Sequence, residues 1–187
     1  MTNSISPILL KHYRGPEAEL SSDEFYRELA AKYEEAWRVY EPRIIEGLIS
    51  VLNVHFFLPV IDATLAPMVS CFSTPLTLNY KYEPDQFIDL LTHELIHILI
   101  SDNQEGIVFS RAVKAQWSDV EMLVIWHIMV HALLKYVYLD ILDQPSRLQR
   151  DVDAHTEAPA YKLAWEIVED FGYREIIDLM LTDKNTE

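Results

Sequence analysis

A single cysteine, Cys71, leaves no second thiol for an internal disulfide, which excludes a disulfide-stapled scaffold and fits a reducing compartment. Glycine is scarce too, with 4 in 187 residues, while Leu, Ile, Ala and Glu are plentiful. That balance points to a mostly helical protein. Basic residues are in deficit: 15 Lys and Arg against 30 Asp and Glu give a net charge of −15. Such a field argues against a nucleic-acid backbone or an anionic membrane as partner. The acidity reads first as a solvated surface, with a preference for basic or neutral substrates as the alternative. The run Leu48 to Ile61 contains Asn53, His55 and Pro59 and is too short to span a bilayer. Met1 to Gly15 lacks a charged start followed by an apolar core. The expectation is a soluble, cytoplasmic protein.

Half of the residues are hydrophobic, so the chain can bury a real core, and its length suits one domain. The stretch from Asp85 to Ile100 organises the rest. Apolar residues at 87, 88, 90, 91, 95, 96, 98, 99 and 100 cover nearly the whole circumference of a helix, the mark of a helix inside a domain. Yet its most apolar part carries His93, Glu94 and His97. Burying such groups without partners costs several kcal/mol each in rough terms. His93 and His97 are i, i+4 neighbours on one face, able to hold one metal ion, and Glu94 stands beside that face. The bland alternative is a core helix whose histidines bond to backbone carbonyls and whose Glu94 meets an arginine.

The pattern His93-Glu94-x-x-His97, after extended residues and a Pro84-Asp85 break, resembles the zincin metallopeptidases. The resemblance covers the active-site helix and its flanks. It implies an α+β, mostly helical zincin-like domain with a small sheet before that helix, and a Zn²⁺ cofactor. It also implies a peptide or protein substrate, with Glu94 as general base towards a metal-activated water. The metzincin variant does not apply, because the positions that need glycine and a third histidine hold Ile100 and Asn103. Nothing around Cys71 resembles the cysteine motif of the deformylases.

The gluzincin variant takes its third ligand from a glutamate on a second helix. Glu121 follows His97 by 24 positions and stands near the start of an apolar helix over 118–141. In size the chain is similar to the minigluzincins. Glu121 also has a plain structural role open to it, as N3 of a capping box begun by Ser118, with Trp117 and Met122 as a hydrophobic staple. His127 and His131 form another i, i+4 pair, about 9 and 15 Å along the axis from Glu121. Either Glu121 is the ligand and a downstream His or Tyr assists at the oxyanion, or His127 or His131 is the ligand and Glu121 is a cap. His127, His131, Tyr136 and Tyr138 are the candidates for the assisting role.

Two rivals come from other classes. Glu94-x-x-His97 also matches an element of di-iron bundles, but the 118–141 helix offers only Glu121 as a further inward acid. Alternatively, the chain is a metal-binding or regulatory protein on a zincin scaffold, without peptidase activity.

Elsewhere the pattern predicts one domain over 1–187. Residues 1–20 read as an irregular lead-in. A capping box at Ser21 to Glu24 opens a helix ending near Pro42, and a second helix runs from Pro42 to about Val51. Short strands follow between 53 and 82, with the alternating stretch Leu76 to Tyr82 as a candidate edge for an added peptide strand. Val108 to Gln116 reads as a short helix and 146–158 as a polar loop. Two helices, 160–170 and 173–181, are split by Gly172 ahead of a frayed tail. The acidic segment 146–187 is a candidate for holding the enzyme latent.

Overall fold

The computed structural model describes residues 8–12, 22–67, 71–103, 109–154 and 157–182. The chain opens with strand β1 (Ile8–His12). Helix α1 (Ser22–Leu52) follows, then strands β2 (Ile61–Ala66), β3 (Phe72–Ser73) and β4 (Leu76–Asn79). The helices after the sheet are α2 (Pro84–Asp102), α3 (Phe109–Gln116), α4 (Met122–Tyr136), α5 (Pro145–Ala154), α6 (Pro159–Phe171) and α7 (Tyr173–Thr182). A π-helical turn, Val137–Ile141, prolongs α4. The protein is thus α+β and mostly helical, with its small sheet ahead of α2.

The sheet has the order β1-β2-β4-β3. β1 and β4 both run parallel to β2, with Ile8 opposite Ile61 and Leu65 opposite Leu78. β3 pairs antiparallel with β4. Two expectations change here. Residues 8–12 are a strand rather than part of an irregular lead-in, because their partner lies far along the chain. The stretch from Leu76 is an inner strand, and only through Asn79; β3 takes the edge beside it.

α1 is one helix straight through Pro42, not two. Tyr33, Trp37, Ile44, Leu48 and Leu52 form a single buried stripe that keeps its phase across the proline. An interior proline costs about 3 kcal/mol. Each fully buried Ile or Leu contributes about 1.5–3 kcal/mol, so preserving the stripe outweighs that cost. Ser21 of the expected capping box lies outside the described residues. Where α1 crosses the π-helical turn, a Cβ on Gly47 would come within 2.9 Å of the Ile141 side chain, which would have to shift to admit it.

α2 and α4 occupy the centre. Leu91, Leu95, Ile96 and Leu99 of α2 and Ile128, Met129 and Leu133 of α4 are fully buried. The run Met122–Ile141 is apolar enough to cross a membrane by length and composition, but two thirds of it (67%) is buried inside the protein, as befits a core helix. It packs against α2, α6 and α7.

Residues 145–154 are helix, not loop. The buried residues of α5 are Arg147 and Asp151, so a search for apolar periodicity passes over it. α6 and α7 fall where the spacing places them, and Gly172 between them has φ 101°, which suits glycine. They supply Trp165, Val168, Ile176 and Met180 to the core. α6 and α7 are therefore part of the core.

Candidate metal centre

α2 starts at Pro84, with its fixed φ, and ends where Asn103 turns its amide onto the Leu99 carbonyl at 2.8 Å. In between, His93 and His97 share one face. α4 crosses against it and brings His127 to the same place. The ligand atoms of His93, His97 and His127 all lie within 4.8 Å of one another, and this is the one such group among the described residues. His93 and His127 are buried, at 5% and 2% exposure, and His97 is half-buried.

The three side chains fit a divalent cation. Tetrahedral zinc with Zn–N bonds of about 2.0–2.1 Å needs nitrogens about 3.4 Å apart, a small closure from this arrangement. His127 Nδ1 donates to the Leu123 carbonyl at 2.8 Å, which leaves the lone pair on Nε2. His93 Nδ1 lies 3.5 Å from Oδ1 of Asp151, a buried carboxylate on α5. Burial first, then His93 and His127, lower the His97 pKa to about 3, so its imidazole is neutral at ordinary pH, as a ligand must be.

Glu121 is not part of this group. α4 begins at Met122, so Glu121 is itself the N-cap residue, exposed, with no capping bond from its side chain. Its carbonyl, not its carboxylate, accepts from Val124 and Ile125 at 3.0 and 3.1 Å. Ser118 bonds to Asp119 at 3.5 Å, so the expected capping box does not form. Nor does the staple: Trp117 packs on Phe171, with ring centroids 5.0 Å apart, and Met122 is exposed. The third member of the group is therefore His127 and not Glu121. His131 is fully buried and stacks on Trp165, with centroids 4.1 Å apart.

Glu94 is half-buried beside the histidines. A cavity of about 690 Å³ opens there, lined by Cys71, Tyr82, His93, Glu94, Asp151 and Tyr161 among others. Burial raises the Tyr161 pKa, and the charges of Glu94 and Asp151 raise it further. Its ring centroid is 3.8 Å from that of His127. Burial also raises the Cys71 pKa; the Asn79 amide opposes this and Glu94 adds to it. Cys71 thus lines the cavity as a thiol and stands outside the three-histidine group.

The other aromatic candidates are elsewhere. Tyr138 is fully buried, and its pKa is raised by burial and by Asp89 and Asp151. Tyr136 lies near Asp140 and Arg174. Tyr161 and Asp151 were hidden from sequence reasoning. Neither stands at a spacing that links it to His93, and Asp151 sits in a segment without an apolar period.

Compared with known proteins, the chain matches no family model, no curated protein and no solved structure. Its chemistry rests on the site itself.

Proposed function

We propose that the protein is a zinc-dependent peptidase in which His93, His97 and His127 hold the metal and Glu94 is the general base. The observation that carries this reading is the convergence of the three histidines, two of them from the His-Glu-x-x-His helix, beside a cavity that Glu94 lines. A zinc ion bound there supplies Lewis acidity and brings the pKa of a water towards neutrality. Glu94 takes the proton from the attacking water and delivers it to the leaving amine. Tyr161 replaces His127, His131, Tyr136 and Tyr138 as the donor to the carbonyl oxygen, because its ring packs on His127 and lines the cavity. A neutral three-histidine set leaves the cation its full formal charge, which strengthens its pull on a carbonyl. The exposed carboxylate of Glu121 gives no support to a di-iron site.

Metal analysis of the purified chain, followed by digestion of a peptide library, tests the proposal. One zinc per chain and cleavage abolished by chelation are expected. Glu94→Gln should lower turnover by about 10²–10⁴-fold while metal content stays the same. Zinc without cleavage of any peptide would leave a metal-binding scaffold protein instead, and a chain that takes up no metal would end both readings.

A further inference from the structure

α5 is held in an unusual way. Its buried residues are Arg147 and Asp151, both charged types. Arg147 Nη1 donates to Asp89 Oδ1 at 2.7 Å and to the Asp85 carbonyl at 2.9 Å, and Nη2 reaches the Asp85 carboxylate. Arg150 meets Asp89 Oδ2 through Nε at 2.9 Å and Nη2 at 2.7 Å, and Asp85 Oδ2 at 2.9 Å. One turn beyond Arg147, Asp151 faces His93. On α2, Asp85, Asp89, His93 and His97 stand at successive i+4 positions, a polar row along a mostly apolar helix. The arginines and Asp151 of α5 are laid against that row in order.

We propose that Asp151 is a positioning residue for His93, and that the Arg147 and Arg150 ion pairs to Asp85 and Asp89 couple the docking of α5 to the affinity of the metal site. The inference rests on His93, His97 and His127 being the ligands. The physical cause is direct. At 3.5 Å the Asp151 carboxylate acts through its charge, favouring the proton on Nδ1 of His93 and so leaving the lone pair on Nε2 for a cation. A cation on His93 in turn strengthens the pull of His93 on Asp151, so docking and binding reinforce each other by the same factor. Leu148 and Val152 pack part-buried on the core, but the fully buried contacts of α5 are charged, so a substitution among them loosens the helix without emptying the core.

The test is a zinc titration against a chelating indicator, with the unmodified chain, Asp151→Asn, Arg150→Ala and the double variant. Amide exchange of residues 145–154 with and without zinc accompanies it. Arg150 is 37% exposed, and its truncation leaves the Arg147 bonds to Asp85 and Asp89 in place. The metal-free melting temperature reports any general loosening separately. Asp151→Asn should raise the zinc Kd by about 10–100-fold. Arg150→Ala should raise it severalfold, and the double variant should bind no more weakly than Asp151→Asn alone. Zinc should slow exchange across α5. Unchanged affinity in Arg150→Ala, additive effects in the double variant, or exchange in α5 indifferent to zinc would overturn the coupling. If the unmodified protein takes up no zinc, the ligand assignment fails first and the coupling with it.

Discussion

At the scale of single residues, the chemistry turns on which nitrogen or oxygen can reach a common point. His127 does so and Glu121 does not, a distinction worth two variants. His127→Ala should raise the zinc Kd by more than about 100-fold, since loss of a ligand exceeds the loss of an outer partner. Glu121→Ala should leave zinc binding unchanged and alter stability by less than about 0.5 kcal/mol. Equilibrium dialysis separates the two outcomes. His97 makes a second test at this scale. Its folded-state pKa is about 3, lowered by burial and two neighbouring imidazoles. In the unfolded chain it is about 6.5. The unfolded state thus binds more protons between those values, so metal-free stability falls as pH drops from about 6.5 towards 3. Urea unfolding at stepped pH checks the sign, and His97→Gln should flatten the slope.

At the scale of elements, α2 is positioned by what leads into it. The Tyr33 hydroxyl of α1 sits 2.7 Å from the Tyr80 carbonyl and 2.6 Å from that of Tyr82, and shares its proton between them. The same ring stacks on Phe87 of α2, with centroids 4.0 Å apart and planes 3° apart. Burial, then Glu83, pushes its pKa to about 12, so it stays a donor throughout the working range. Tyr33→Phe keeps the stack and removes the donor. It should cost about 1–2 kcal/mol in a chemical denaturation curve, with α2 intact. Asp89 is tuned at this scale too: burial pushes its carboxyl up, and Arg147 and Arg150 pull it part of the way back.

At the scale of the whole molecule, one apolar cluster runs from α1 through α2 and α4 to α6 and α7. Tyr161 and Asp151 of the site come from the same C-terminal region that completes this cluster. Deleting residues 146–187 should therefore give an unfolded or aggregated chain rather than an activated one, as circular dichroism and size-exclusion chromatography would reveal. A soluble, cooperatively folded product with raised activity would restore the idea of a latent C-terminal segment.

The linear order of residues determined whatever depends on neighbours within a few positions. The apolar period marked α2 and α4, Gly172 marked the break between α6 and α7, and the spacing of His93, Glu94 and His97 marked the site, because one helical turn brings i and i+4 together by itself. Tertiary structure decided what depends on distant partners. Strand β1 exists through β2, α1 passes Pro42 because its stripe has a single core to face, and α5 docks through arginines on acids of α2. Which side chain joins His93 and His97 was decided the same way. Glu121 and His127 lie only six residues apart on the chain, and the start of α4 and its crossing against α2 turn one to solvent and the other to His93 and His97.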